Sequence, residues 1–259
     1  MNFITKLAKT YLRNRGYDII IPKDSLVLDR RQVTYQNDLL YTYHSCDFMK
    51  DPKFLESYQL GKNTDGGMLL KDYDIQWRIH VLVWAANYAK NLEGDFADCG
   101  VSSGIFARAI INYIDFNSTG KTYYLLDTFQ GMHEDYSSEE EMKASTILGY
   151  DKEDKFEKVK KTFEPFNTKI IKGPIPETLS LVDSDKFAFI SIDMNSVIPE
   201  VEALKFFWDK LVPGGIIVLD DHGYSNATKL QEKAQNDFAK SVGAEVLYLP
   251  TCQGIIIKS

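Results

Sequence analysis

"GDFADCGVSSG", residues 94–104, joins a short apolar run to an acidic residue and a turn rich in glycine and serine. The apolar run predicts a strand over Phe96–Cys99, and helical spacing of the next apolar residues predicts a helix over Ile105–Ile114. The turn glycines would let a ligand approach the backbone, and the free N–H groups of a new helix favour polar or anionic groups. This unit predicts an α/β fold with a ligand site at the turn. A tight turn with an incidental acid is the alternative.

Strand and helix signals alternate on both sides of this unit, beginning with a predicted helix over Asp74–Asn91. Further strands are predicted at Thr122–Leu126, Lys169–Lys172, Phe187–Ile192, Ile216–Leu219, Glu245–Leu249 and Gly254–Ile257, and further helices at Glu153–Phe163, Pro199–Leu211 and Ala227–Val242. Such alternation implies a parallel sheet with crossover helices. The last two strands are too close in sequence for a crossover, so they are expected to form an antiparallel hairpin.

Residues 1–65 differ from the rest and are expected to form an N-terminal helical extension to a main domain over residues 66–259. The spacing of Phe3, Leu7 and Tyr11 predicts an amphipathic helix near the start. Its apolar face is expected to pack on its own domain, with a partner or a membrane surface as the alternative. The extension would cover the ligand pocket as a lid or supply a contact in a homodimer or higher homo-oligomer.

Composition excludes several classes of function. The net charge of −7 and pI near 5.2 provide no overall attraction for nucleic acid or an anionic membrane. The charge-free stretches, such as Ile79–Ala89, are shorter than the ~20 residues that span a bilayer, so no membrane span is expected. The three cysteines are widely spaced and the N-terminus lacks the apolar region of a signal peptide. We therefore expect a cytoplasmic protein with reduced thiols.

An acidic residue also ends the next predicted strand, where "YYLLD" finishes at Asp127. In open α/β sheets an acid at this position can accept the hydroxyl hydrogens of a ribose. The sequence therefore predicts a nucleoside-containing cofactor across the carboxyl edge of the sheet. A simple loop-start aspartate is the alternative.

Three more aspartates follow two other predicted strands, at Asp193 and at the adjacent pair Asp220 and Asp221. If the two strands are neighbours, their carboxyl ends meet at one edge of the sheet. Three hard oxygen donors suit Mg²⁺ or a similar cation, and without one their crowding would raise at least one carboxylate pKa. Alternatively, either Asp220 or Asp221 caps a helix or contacts a metal ligand without binding the metal itself.

The sequence also suggests roles for two further side chains, His222 and Arg78. His222 directly follows the aspartate pair and is a candidate general base, with an ordinary loop histidine as the alternative. Arg78 lies on the helix before the glycine turn and needs an anionic partner if it is buried. The acidic stretch from His133 to Lys143 is expected to be a solvated loop or helix start.

The ordered motifs "GDFADCGVSSG" (94–104), "LLDTFQGM" (125–132), "GPIPETL" (173–179), "SID" (191–193) and "LVPGGIIVLDDHGY" (211–224) resemble those of class I S-adenosylmethionine-dependent methyltransferases. More narrowly, they resemble the macrocin and mycinamicin type of sugar O-methyltransferase, over roughly residues 72–259. The resemblance implies a Rossmann-like, seven-stranded, mostly parallel sheet with helices on both faces and a terminal antiparallel hairpin.

The resemblance also assigns roles to residues. S-adenosyl-L-methionine would lie with its methionine part by the 98–104 turn, its ribose on Asp127 and its adenine near 173–179. The implied cofactor-binding residues are Asp98, Cys99, Gly100, Val101, Ser103, Gly104, Asp127, Thr128, Phe129, Gly173, Thr178, Leu179 and Asp193. The metal-dependent branch of the family would place Mg²⁺ on Asp193, Asp220 and Asp221.

The chain departs from the family pattern after the first metal aspartate. The family often has Asp-x-Asp-x-Tyr there, whereas this chain has Asp193-Met-Asn195-Ser-Val. Mycinamicin-type enzymes place a catalytic histidine where this chain has Ser196. Asp193 and His222 are therefore the candidates for the general base.

The expected function is methyl transfer from S-adenosylmethionine to a hydroxyl of a sugar or glycan-pathway small molecule, assisted by Mg²⁺. A small-molecule, sugar-nucleotide or glycan acceptor fits the acidic chain better than nucleic acid does. A metal-independent methyltransferase, in which the acids orient substrate and cofactor, is one alternative. A non-catalytic cofactor-binding partner in a biosynthetic assembly is another. The sequence alone names no acceptor.

Overall fold

A computed structural model describes residues 33–64, 74–148, 153–224 and 228–259. The chain divides into two compact units, Met1–Asp47 and Phe48–Ser259. The described part of the first unit holds an antiparallel hairpin of β1 (Tyr35–Asn37) and β2 (Leu40–Thr42). Its two turn residues, Asp38 and Leu39, both have positive φ, as a two-residue hairpin turn requires. We did not predict this hairpin, and the helix expected near residue 1 lies outside the described residues.

The second unit alternates helices and strands through its length. Its described helices are α1 (Pro52–Thr64), α2 (Gln76–Ala89), α3 (Ile105–Ile114), α4 (Glu139–Leu148), α5 (Phe156–Phe163), α6 (Val197–Lys210) and α7 (Lys229–Ser241). Its described strands are β3 (Asp95–Cys99), β4 (Tyr123–Asp127), β5 (Thr168–Lys172), β6 (Phe187–Ile192), β7 (Leu211–Leu219), β8 (Leu247–Tyr248) and β9 (Gly254–Ile257). Within these ranges, no helix combines the length and the apolar character needed to cross a membrane.

These seven strands form one sheet in the order β5-β4-β3-β6-β7-β9-β8. Pairing is parallel from β5 to β7, and β9 runs antiparallel to both β7 and β8. The mostly parallel sheet and its terminal hairpin are therefore confirmed. Strand β8 is shorter than the predicted Glu245–Leu249, and the acidic stretch forms a short 3₁₀ turn and then α4.

The sheet order fixes where a ligand can bind. The chain adds β4 and β5 on one side of β3 and then returns to add β6 on the other side. Such a reversal opens a crevice at the carboxyl ends of the strands, where open α/β sheets bind ligands. Cys99 pairs with Ile192, and Ile192 pairs with Leu219, so β3, β6 and β7 end side by side.

Apolar side chains pack on both faces of the sheet. Strand β6, "FAFISI", is buried at all six positions, as expected for a parallel strand covered by helices on both sides. Phe96 and Phe189 point into one cluster of buried residues, whereas Ala97 and Ile190 point into the other.

Helix α1 belongs to the second unit, although it lies within the 1–65 segment expected to be the extension. A side chain at Gly61 would lie 2.5 Å from the carbonyl oxygen of Ile105, so glycine allows α1 to approach α3 closely. The two compact units divide between Asp47 and Phe48, and the expected domain boundary at residue 65 stays a prediction. The expected role of the extension as a lid or dimer contact remains a prediction.

Candidate active site

The glycines of the 98–104 turn are required by the packing of the chain itself. Gly100 has φ +95°, and a Cβ there would lie 1.8 Å from the carbonyl oxygen of Asp193. Gly104 has φ +89°, and its Cβ would lie 2.4 Å from the ring of Phe163. We expected these glycines to make room for a ligand. In the direction of a side chain, that space is occupied by the backbone after β6 and by an α5 side chain, and contact of these glycines with a cofactor remains a prediction.

Two polar side chains of this turn are buried, and each has an oxygen atom that no described residue hydrogen-bonds. Asp98 is 1% exposed, and none of the described residues hydrogen-bonds its Oδ1 atom. The Ser103 hydroxyl is likewise buried and unbonded within the described chain. Burial, reinforced by the nearby Asp127 charge, raises the pKa of Asp98 well above its usual value. A cationic ligand group at this position would satisfy the carboxylate and favour its ionised form.

Asp127, at the end of β4, is held in one orientation by the backbone around it. Its Oδ2 accepts the Ser102 N–H at 2.7 Å, and its Oδ1 accepts the Phe129 N–H at 2.5 Å. Thr128 Oγ1 also lies 3.3 Å from Oδ1, so Oδ2 is the oxygen that retains acceptor capacity for a ribose hydroxyl. The Lys155 side chain is 5% exposed and donates to the Ser102 hydroxyl at 2.8 Å. Burial raises the pKa of Asp127, while the Ser102 and Phe129 N–H groups oppose that rise.

The other predicted cofactor residues divide between the cleft and the core. The Cys99, Val101 and Phe129 side chains are buried within the apolar clusters, so these residues can meet a cofactor only through their backbone. The Gly173 N–H donates to the Asp127 carbonyl at 2.9 Å, which places the start of the 173–179 segment beside the predicted ribose site. Thr178 and Leu179 are 7% and 6% exposed. Thr128 donates to the Gly131 carbonyl within the turn that follows Asp127.

The three remaining aspartates do come together. One carboxylate oxygen each from Asp193, Asp220 and Asp221 lies within 4.8 Å of the other two. The Asp193 N–H donates to the Cys99 carbonyl, and the Asp220 N–H donates to the Ile192 carbonyl, so each acid directly follows its strand. Asp221 adopts φ +52°, a left-handed conformation that aspartate tolerates. This turn, rather than a strand end between the two residues, lets the adjacent carboxylates converge.

Arg78 lies among these acids. Its Nη1 atom donates to Asp220 Oδ2 at 2.5 Å and to Asp221 Oδ1 at 2.7 Å. The three side chains are 7%, 6% and 18% exposed, so these are buried ion pairs. The guanidinium also lies 5.5 Å from the centre of the Tyr224 ring. The expectation that a buried Arg78 would need an anionic partner is confirmed by its ion pairs with Asp220 and Asp221.

The donor set fits an oxygen-preferring divalent cation. Burial and the negative charges of Asp220 and Asp221 raise the pKa of Asp193 well above its usual value. The three-aspartate cluster is therefore short of positive charge even with Arg78 present. Asn195, in place of the family's second acid, donates to Asp193 Oδ1 at 3.1 Å. A cation at the three acids would share Asp220 and Asp221 with Arg78 or displace its guanidinium.

His222 does not face the open edge of the sheet. It is 1% exposed, its ring centre lies 4.4 Å from that of Tyr248, and its Nδ1 pairs with Gln235 Oε1 at 2.5 Å. No described residue hydrogen-bonds its Nε2 atom. Burial lowers its pKa. This enclosed position favours Asp193 as the candidate base, and the catalytic role of His222 remains an untested prediction.

Ser196, at the position of the family's catalytic histidine, is also turned away from a substrate. It is 1% exposed and donates to the Tyr136 carbonyl at 3.0 Å. Beside it, Glu141 of α4 accepts the Val197 N–H at 2.9 Å. The acidic stretch expected to be solvated thus caps the N-terminus of α6, where negative charge is favourable.

Sequence reasoning missed Lys155, Glu141 and two members of a buried polar cluster, Glu200 and Gln235. Glu200 alone left a signal, because an acid stands on the apolar face of the predicted helix over Pro199–Leu211. Lys155 and Gln235 lie in ordinary amphipathic patterns, and only the folded chain brings them to the site.

Comparison with known proteins adds a family relationship. The sequence profile of the macrocin-O-methyltransferase (TylF) family matches residues 79–245. These residues include the glycine turn and all four strand-end acids described above. No curated protein matches the chain by sequence.

Solved structures with the same fold include several methyltransferases. The O-methyltransferase NovP is 17% identical with a TM-score of 0.59, covering 70% of this chain and 79% of its own. CalS11, a calicheamicin methyltransferase, is 12% identical with a TM-score of 0.52, covering 83% and 94%. PaMTH1 from Podospora anserina, solved with SAH bound, is 16% identical with a TM-score of 0.50, covering 100% and 97%. At these identities the likeness shows the fold.

Proposed function

Because this chain belongs to the macrocin-O-methyltransferase family, we propose that it methylates a hydroxyl of a sugar or another glycan-pathway small molecule. It is an S-adenosylmethionine-dependent O-methyltransferase. The observation that carries the proposal is the meeting of Asp98, Asp127 and the three-aspartate cluster at one edge of the sheet. The family name and the description of CalS11 as a TDP-rhamnose 3′-O-methyltransferase support a sugar acceptor.

The residues around the glycine turn would bind the cofactor. S-adenosylmethionine supplies a methyl group on positively charged sulfur and carries a second positive charge on its amino group. The buried Asp98 carboxylate, whose Oδ1 no described residue hydrogen-bonds, is suited to one of these charges, and the Ser103 hydroxyl to a polar neighbour. Asp127, fixed by the Ser102 and Phe129 N–H groups, would accept the ribose hydroxyls.

Asp193 would take the proton from the acceptor hydroxyl. An alcohol is a poor nucleophile until it begins to lose its proton, and Asp193 directly follows β6 at the carboxyl edge of the sheet, where the acceptor would bind. S-adenosylmethionine would supply the methyl group to the acceptor oxygen as its carbon–sulfur bond breaks, with Asp193 holding the hydroxyl proton. We propose that Asp193, Asp220 and Asp221 hold Mg²⁺, which would supply positive charge beside the acceptor oxygen.

Arg78 supports a second candidate, a metal-independent methyltransferase. Its guanidinium already joins Asp220 to Asp221 and supplies one positive charge to the cluster. In this version Asp220 and Asp221 orient Arg78, and the guanidinium faces the acceptor. A non-catalytic partner protein remains the rival from another class, and turnover separates it from both enzymes.

The test is a screen of sugar nucleotides and free sugars with S-adenosylmethionine, with Mg²⁺ or with EDTA, monitoring S-adenosylhomocysteine. The proposal expects acceptor-dependent product with Mg²⁺, its loss with EDTA, and its loss in Asp193→Asn. Turnover that survives EDTA would refute the metal and favour the Arg78 version. Cofactor binding without any turnover across the screen would favour the non-catalytic partner.

The N-terminal 65 residues are proposed to cover the pocket or to supply a contact in a homo-oligomer. Cytoplasmic location likewise remains a prediction from composition and sequence. Light scattering on the full chain would test oligomerisation, with a monomer refuting that part.

A further inference from the structure

Three buried polar side chains near the three aspartates form a hydrogen-bonded chain, Glu200–Gln235–His222, which begins at Glu200 of α6. Glu200 is 0% exposed. Its Oε1 accepts the Met194 N–H at 3.2 Å and Gln231 Nε2 at 3.1 Å, and its Oε2 accepts Gln235 Nε2 at 2.7 Å. Because Met194 directly follows Asp193, this end of the chain holds the loop after β6.

The other end holds the loop after β7. Gln235 of α7 is also 0% exposed, and its Oε1 pairs with His222 Nδ1. The His222 ring is seated against Tyr248, and a Cβ at Gly254 would lie only 3.0 Å from the ring. Because His222 directly follows Asp221, its position constrains the turn that carries Asp220 and Asp221.

Gln235 is the only described residue that bonds to both ends. Its amide meets Glu200 on one side and His222 on the other. An apolar side chain would fill the same space between helices, and buried polar groups are costly unless every partner is satisfied. The bonds therefore point to a role beyond filling the core. Losing the amide would leave buried atoms of Glu200 and His222 without partners.

We infer that Gln235 is a positioning residue that ties the Asp193 loop to the Asp220–Asp221 loop and so sets the spacing of the three acids. His222 acts through this link, as part of the support for the acids. The catalytic consequence rests on the proposed function, whereas the coupling of the two loops does not.

The test compares three variants with the wild-type protein. Gln235→Met keeps the length of the side chain and removes its hydrogen bonds. The double variant Glu200→Gln with Gln235→Glu exchanges amide and acid, so that one donor and one acceptor still face each other. Phe238→Ala is the control, because Phe238 is a buried residue of α7 outside the polar chain.

Amide hydrogen exchange measured by mass spectrometry reads the coupling without any acceptor. Gln235→Met should speed hydrogen exchange on the order of ten-fold in both residues 193–196 and residues 220–224, whereas the double variant should restore the wild-type rate. Phe238→Ala should not single out these two loops. Faster hydrogen exchange confined to α7 would overturn the inference. Exchange in the double variant that is as fast as in Gln235→Met would also overturn it.

Kinetics then measures the consequence, with an acceptor found in the screen. Gln235→Met should lower kcat by roughly 10- to 100-fold, as changes behind catalytic ligands do. Affinity for S-adenosylhomocysteine should stay close to wild type, because the buried polar side chains Glu200, Gln235 and His222 do not hydrogen-bond Asp98 or Asp127. Equal losses in cofactor affinity and kcat would indicate general damage and overturn the positioning role. A wild-type protein without turnover would count against the proposed function, and the exchange result would still decide the coupling.

Discussion

Replacing Arg78 by methionine should expose the electrostatic strain at the three aspartates. The change retains an apolar stem and removes the guanidinium that joins Asp220 to Asp221. These side chains are 6% and 18% exposed, so water replaces little of the lost interaction. Removing one partner of a buried ion pair costs about 3–5 kcal/mol. For a chain of this size that corresponds to a fall in Tm of roughly 6–20 °C.

A divalent cation should offset this loss if it binds the same acids. At one hundred times its dissociation constant, a ligand that binds only the folded state stabilises it by about 2.7 kcal/mol. Thermal unfolding by circular dichroism, with and without Mg²⁺, should therefore show a larger rise in Tm for Arg78→Met than for the wild type. Arg108→Met is the matched control, because that guanidinium lies 4.9 Å from the Phe166 ring and outside the acid cluster.

Two results would refute this reasoning. A loss below about 1 kcal/mol in Arg78→Met would place the interaction in the range of an exposed ion pair. An equal response to Mg²⁺ in the wild type, Arg78→Met and Arg108→Met would show that the cation does not bind where Arg78 lies.

Four other predictions follow from the site. Asp127→Ala should weaken S-adenosylhomocysteine binding by at least roughly ten-fold in calorimetry, because the ribose loses a charged acceptor; unchanged affinity would remove Asp127 from the cofactor site. Asp193→Asn should lower kcat by on the order of 10²–10⁴-fold with similar cofactor affinity, and retained kcat would exclude Asp193 as the base. Gly100→Ala should fail to fold or lose several kcal/mol, because its Cβ would collide with the Asp193 carbonyl; wild-type Tm would contradict this packing. Burial raises the pKa of Glu200 from 4.5 to about 8, so its stabilising effect is full below pH 4.5 and is lost as pH rises through about 8. The unfolding free energy of the wild type should therefore decline over this range by up to about 1.4 kcal/mol per pH unit. Glu200→Gln should flatten this decline, and parallel pH profiles of the two proteins would contradict the assignment to Glu200.

Local pattern in the sequence predicted the elements that position the site. The run "FAFISI" and the helix after Gly104 were located because continuous burial and helical spacing leave direct signals. The acids Asp127, Asp193 and Asp220 were found because each directly follows such a strand. Parallel strands end at one edge, so their meeting was predictable once the strands were known.

Long-range contacts explain what was missed. The sequence did not indicate the tight neighbours of the 98–104 glycines, which are the backbone after β6 and a side chain of α5. Arg78 and Asp220 are far apart in sequence, as are Glu200 and Gln235, and no periodicity encodes which polar groups will pair after folding. The hairpin over Tyr35–Thr42 has strands of only three residues and the turn residues Asp38 and Leu39, so it lacks both the alternating apolar pattern of a longer strand pair and a glycine turn signal.

The central claim is that the acids at the carboxyl edge carry out methyl transfer from S-adenosylmethionine. Its most direct test is mass spectrometry of the acceptor and S-adenosylhomocysteine after incubation with wild-type protein, Asp127→Ala and Asp193→Asn. We predict one methyl group added per S-adenosylhomocysteine formed by the wild type, and a large loss in both variants. Methylation that continues at the wild-type rate in both variants would contradict the claim, because the reaction would then take place elsewhere on the chain.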